Sequence, residues 1–166
     1  MFYDEEYMIR DVETLFKAQL NNEIALVNAD KNAVSGDVLF LEDIPSDKYI
    51  FETLDKRLLN YTGFFILYGL VDTPIREVST DNFIEDLTMT FQIATFDKGE
   101  KDRSNTLYKL LRYRRALKQV IIKNPDVFRD YAKPLMASLK PDAFPYSSKQ
   151  IILTIGIDIK ASVTAN

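Results

Sequence analysis

Apolar residues recur at three- and four-residue steps through positions 5–28: Met8, Val12, Leu15, Phe16, Leu20, Ile24 and Val27, with Glu13, Lys17 and Asn21 between them. That period predicts an amphipathic helix with one face on a core. Asp4 is placed to cap its start, and the acids of the first turn suit the positive end of the helix dipole. Turn chemistry from Asn32 to Gly36 ends it. A second helix is expected over 104–123, capped by Ser104 and stopped at Asn124-Pro125. Leu107, Leu110, Leu117 and Ile121 form its apolar arc, with Leu111 and Ile122 beside it. A short helical turn over 125–131 is expected to follow.

Elsewhere the period is two. Leu87, Met89, Phe91 and Ile93 alternate with Thr88, Thr90 and Gln92, as in a strand with one buried face. Residues 64–71, opened by Gly63, are apolar enough for a buried strand, and Asp72-Thr73-Pro74 turns the chain after it. The longest alternation is Ile151, Leu153, Ile155, Ile157, Ile159, Ala161 and Val163 against Thr154, Gly156, Asp158, Lys160 and Ser162. It reads as the return arm of a C-terminal hairpin, with a first arm near 135–139 and a tip over 140–148. Residues 37–62 admit two readings: a short helix from Ser46 or Asp47 carrying Ile50, Leu54 and Leu58, or a strand through Tyr49-Ile50-Phe51. The order of elements predicts a single α+β domain over 1–166: a mixed or antiparallel sheet, two main helices packed on it, and a C-terminal β-hairpin.

Composition narrows the chemistry. The 166 residues include no cysteine and no histidine. Thiolate nucleophiles, disulfides, thiolate zinc sites and histidine-based triads are therefore excluded. Carboxylate, lysine, tyrosine and hydroxyl groups remain, and the expectation is a protein that is not an enzyme and needs no cofactor or metal. The acidic start, Asp4-Glu5-Glu6, is unlike the basic and then apolar start of a leader. The apolar run at 64–71 is far short of the roughly 20 residues of a membrane span. A soluble protein, cytoplasmic when made, is expected.

One catalytic pattern competes with that expectation. Pro141-Asp142 followed by Asp158-Ile159-Lys160 matches the spacing of metal-dependent nucleases, in which two carboxylates hold a divalent ion and a lysine helps activate water. The simpler reading makes Asp158 and Lys160 polar positions on the outer face of a strand, with Asp142 in a loop.

Charge is uneven. The net charge is −4, yet residues 101–123 carry eight cations and one acid, net +7, leaving −11 on the rest. Such a basic element on an acidic body suits docking between copies or onto a local anionic partner. Lys109, Arg112 and Arg115 fall opposite the apolar arc, where solvation accounts for them. Arg114 and Lys118 fall inside it, between Leu107, Leu111 and Leu117. They either snorkel from the core edge or meet carboxylates from the same fold or a neighbouring subunit, because a buried unpaired charge is too costly. The acidic remainder argues against sequence-specific nucleic-acid binding. Phe144 and Tyr146, beside Pro145 near the expected hairpin tip, are either contact anchors or folded back onto the domain.

The order of elements resembles the small tail-terminator and neck (head–tail joining) proteins of long-tailed bacteriophages. The resemblance runs from Met8-Ile9-Arg10-Asp11-Val12-Glu13, through the strands at 63–71 and 85–96, to Leu110-Leu111-Arg112-Tyr113-Arg114-Arg115-Ala116-Leu117 and the long C-terminal strand. It is one of general character and carries no functional residue across. It implies a tail-terminator-like fold and a virion structural role: a ring, usually of six subunits, at the head-proximal end of the tail tube. Such a ring ends tube polymerisation and meets the head connector, and the genome passes through its lumen. The implied partners are copies of the chain, the tail tube protein and the connector proteins, in the virion and, during assembly, in the host cytoplasm. A related neck or head-completion protein is the alternative. Ring closure requires two different complementary patches per subunit, and Arg112, Arg114, Arg115, Lys118, Phe144 and Tyr146 are the expected contact residues.

Overall fold

The computed structural model describes residues 5–32, 36–37, 39–51, 63–72, 75–80, 82–97, 100–128, 135–138, 142–147 and 150–165. Its elements are α1 (Glu5–Asn32), β1 (Tyr49–Phe51), β2 (Phe64–Asp72), β3 (Ile75–Ser79), β4 (Asn82–Phe96), α2 (Glu100–Lys123), β5 (Leu135–Ser138), β6 (Asp142–Ser147) and β7 (Gln150–Ala165). Short 3-10 turns occupy Ser46–Lys48 and Pro125–Phe128. The fold is α+β. The sheet runs β1-β2-β4-β7-β5, with β3 also on β4 and β6 also on β7. Among the described residues, only β1 and β2 pair in parallel.

Each long apolar period becomes one wall of the main core. Met8, Val12, Phe16, Leu20, Ile24 and Val27 of α1 are buried, against Leu87, Met89, Phe91 and Ile93 of β4 and Leu153, Ile155, Ile157 and Ile159 of β7. Phe16 stacks on Phe91 with ring centroids 4.3 Å apart, and Tyr68 stacks on the same ring at 4.9 Å. The reverse face of the sheet is not wholly polar. Ile50, Phe65, Ala94 and Ile152 form a second, smaller buried cluster there.

Three expectations differ from the structure: the start of α2, its buried arc and the C-terminal hairpin. Helix α2 begins at Glu100, so Ser104 lies within the helix and caps nothing. Its buried arc is centred on Leu110, Tyr113, Ala116, Leu117, Val120 and Ile121, while Leu111 and Ile122 are exposed. The arc is rotated because Tyr113 has a reason to be inside. Its hydroxyl donates to the Glu42 carbonyl at 2.8 Å and accepts from the Glu42 N–H at 2.9 Å. A buried phenol with both bonds made packs as an apolar ring.

The C-terminal hairpin also differs. Residues expected at its tip, 142–147, form β6, paired with β7 up to Ser147↔Gln150. The partner arm is two strands, β5 and β6, both on the outer edge of β7. Proline at 145 occupies an edge strand, where an absent N–H is tolerated. Finally, the two readings of 37–62 are both partly met: a 3-10 turn starts at Ser46, and a strand follows at Tyr49–Phe51. Leu54 and Leu58 lie outside the described residues.

The loop before β1 is held by two asparagines of α1 at seven-residue spacing. Asn28 donates to the Leu41 carbonyl and accepts from the Leu41 N–H, each at 2.9 Å. Asn21 makes the same pair with Ile44, at 3.2 and 2.9 Å. Each side-chain amide substitutes for a neighbouring strand. Leu41 and Ile44 are thereby laid into the core with their backbone groups satisfied.

Candidate functional site

The basic helix is the feature whose chemistry most exceeds what the fold requires. Arg103 pairs with Asp97, just before the helix. Arg112 donates to the Asp37 carboxylate and to the Leu39 carbonyl, with both side chains of the ion pair 14% exposed. Arg115 reaches Asp30 of α1 at 2.7 Å in an exposed pair. Lys123 donates to both oxygens of the buried Glu23, at 2.7 and 2.8 Å. Lys109 sits 6.0 Å from the centre of the Phe64 ring. Much of the basic charge of α2 is therefore answered inside the chain, by acids of α1 and of the loop that follows it.

The energetic weight of these pairs differs. The exposed Arg115–Asp30 pair contributes on the order of 0–1 kcal/mol. Glu23 is buried and would be strongly penalised without Lys123, so that pair locks the antiparallel register of α1 on α2. The Arg112 guanidinium, followed by the Leu39 N–H, which donates to Asp37 at 3.0 Å, holds the Asp37 carboxyl below its ordinary value. A carboxylate lowered on folding stabilises above its unfolded pKa, and that contribution is lost as pH falls through the folded value. The Leu39 amide resonance is expected to titrate with a midpoint below 3.8, the ordinary aspartate value, and to move back toward it in Arg112→Gln. A midpoint at or above 3.8 in the unsubstituted protein would remove the pair from the account.

Arg114 and Lys118 behave differently. Neither meets an acid among the described residues, and the Arg114 Nε is buried without a hydrogen-bond partner. Carboxylates from the same fold go to Arg112 and Arg115, which solvation was expected to accommodate, and none of those described goes to Arg114 or Lys118. These two lie at one edge of the buried arc of α2, in one helical row with Leu107, Leu111 and Ile122. Leu111 is 43% and Ile122 53% exposed. The flank thus combines two exposed aliphatics with two cations that the described chain leaves unanswered.

The other expected contact residues, Phe144 and Tyr146, are on β6 by their backbone, with Phe144 opposite Ile152. Their side chains lie outside the described residues. The nuclease pattern does not come together. Asp142 is opposite Thr154, four residues along β7 from Asp158, a separation of about 13 Å at ~3.3 Å per residue. Two aspartates that far apart do not share one metal ion. Pro141 and the Asp142 side chain lie outside the described residues. Asp158 accepts a 2.8 Å hydrogen bond from Thr90, and Lys160 is opposite Leu135 and Thr88. No group of three or more carboxylates among the described residues is placed to hold a metal.

An open cleft of about 500 Å³ was not foreseen in the sequence. Leu39, Glu42, Lys48, Phe64, Asp102 and Lys109 contribute to its walls. It is assembled from the loop before β1, the start of β2 and the first turns of α2. These segments are distant in sequence, and none carries a motif. Its charged groups are two acids and two lysines, a mixture that neutralises itself and selects no one sign of ligand.

No helix among the described residues is long and apolar enough to cross a membrane. The sequence was compared with protein-family models and with curated proteins; no family model matches it, and neither does any curated protein.

Proposed function

We propose that this chain is a virion structural protein. It assembles into a ring at the head-proximal end of a bacteriophage tail tube, ends tube growth and joins the tail to the head. The observation that carries assembly is the flank of α2: Arg114 with a buried Nε lacking a partner, Lys118 beside it, and exposed Leu111 and Ile122 in the same row. The Nε itself is closed off by its own chain, so what a neighbouring copy can meet is the outward part of this flank: the partly exposed Arg114 and Lys118 cations beside exposed Leu111 and Ile122. The assignment to phage tails rests on the order of elements described above, and the α+β layout is compatible with it. The separation of Asp142 from Asp158 favours this structural reading over the nuclease.

The test is solution mass by light scattering over a concentration series, with negative-stain images of the same fractions and of mixtures with tail tubes. Closed rings with a central hole, or capture at tube ends, are the expected result. Arg114→Glu is expected to abolish both while leaving the circular dichroism spectrum unchanged. The reading fails if Arg114→Glu assembles and binds tubes like the unsubstituted chain. It fails equally if the unsubstituted chain does neither.

A further inference from the structure

Strands β3 and β4 continue past the helices. All five residues of β3 are exposed, and on β4 full burial begins only at Leu87. The register assigns faces to this extension. Ile75 is opposite Glu85 and Glu77 is opposite Phe83, so all four share the face that carries Leu87 into the core. Arg76 and Asp86 lie on the other face, where Asp86 also accepts from Ser162. The side of the sheet that the helices cover elsewhere is here uncovered. It presents Ile75, 63% exposed, and Phe83, 42% exposed, together with two acids.

We infer that this face, residues 75–85, is the surface that docks on the α2 flank of the next copy. The inference rests on the assembly reading above and names the partner patch it leaves open. The two surfaces are complementary in kind: exposed Ile75 and Phe83 with Glu77 on one, exposed Leu111 and Ile122 with Arg114 and Lys118 on the other. Among the described residues no ion pair joins them within a chain. They are also different patches, as a closed ring requires. Contact through the face, and not through the edge of β3 that no described strand pairs, follows from the irregular register at Glu77–Ser79 and the charges at Arg76 and Glu77. Both are features that discourage strand-to-strand addition. Glu77 makes no ion pair among the described residues, so a cation from outside can take it.

The absence of cysteine makes the test clean. Glu77→Cys and Lys118→Cys chains are prepared separately, mixed and mildly oxidised. A covalent dimer is expected in the mixture far above its level in either chain alone, and it is not expected when Arg76→Cys, on the opposite face, replaces Glu77→Cys. In a second measurement, Glu77→Lys is expected to raise the concentration for half-assembly by about tenfold or more, because like charges then face each other. Adding Lys118→Glu to the same chain is expected to restore assembly. If rings form, Glu77→Lys leaves them unchanged and no cross-link appears, the docking inference is overturned and the ring reading stands. If rings persist in Glu77→Lys but tube capture is lost, the extension meets the tube protein, and docking on a copy is again overturned. If the unsubstituted chain neither forms rings nor binds tubes, the ring reading is the one that fails.

Discussion

Gly156→Ala is expected to destabilise the protein by several kcal/mol, on the order of 3–5, which places it in the exceptional tail of single substitutions. Gly156 is buried on β7 opposite Gln92 of β4. A Cβ there would lie 2.1 Å from the Phe91 carbonyl oxygen, 2.8 Å from the Gln92 Cα and 2.9 Å from the Gln92 Cγ. The first two are backbone atoms of the central strand and cannot rotate away. Relief requires moving β4 from β7 by close to an ångström, which breaks the longest ladder in the sheet. Against a typical total stability of about 5–15 kcal/mol, such a loss is a large fraction. Gly36→Ala is the useful contrast: it meets nothing within 4 Å, and its only difficulty is a φ of +80°, so its cost should be about 1 kcal/mol. Urea midpoints of the two variants decide the matter. A Gly156→Ala midpoint close to that of the unsubstituted protein would mean that the strands do not approach as described.

Phe91→Ala is expected to cost about 3–5 kcal/mol, the range for deleting a buried aromatic ring. Its ring lies against rings from three other elements: Phe16 of α1 at 4.3 Å, Tyr68 of β2 at 4.9 Å and Tyr49 of β1 edge-on at 6.5 Å. At roughly 2–4 °C per kcal/mol for a domain of this size, calorimetry should show a fall in Tm of about 10 °C. Phe91→Leu keeps most of the volume and loses only the ring geometry, and should cost less than half as much. The loss should not stay local. Amide exchange on the buried face of α1 is expected to quicken in Phe91→Ala, because that helix is seated on this ring. Equal stabilities for the Ala and Leu variants would show that ring stacking is not what holds α1 in place.

Both predictions concern positions of which the sequence says little. Phe91 could be identified as buried from its alternation with Met89 and Ile93, but not as a meeting point of four elements. Gly156 reads as a weak position in a strong strand until the β4–β7 register is known. The same division holds at the candidate surface. That α2 is basic was legible, and helical spacing singled out Arg114 and Lys118, but it placed them inside the apolar arc, whereas they lie at the edge of a buried arc rotated toward Tyr113. Which cations would find acids was not legible, because Asp30 and Asp37 lie 85 and 75 residues from their partners.

The sequence by itself determined the two long helices, the strands read at 64–71, 85–96 and 151–163, and most of the residues that line the main core. It could do so because hydrophobic burial is periodic, and the periods of helix and strand differ. It also ruled out thiol and imidazole chemistry. Only the tertiary structure decided the Asn21 and Asn28 clamps, the inward Tyr113, the division of the hairpin arm into β5 and β6, and the exposure of the β3–β4 extension. Each depends on hydrogen-bond partners or on cover brought from elsewhere in the chain. A local pattern can state that a group needs a partner, but not whether the fold supplies one. The Arg114 Nε is left without an acceptor and Ile75 without cover for that reason: the described residues brought alongside them supply neither.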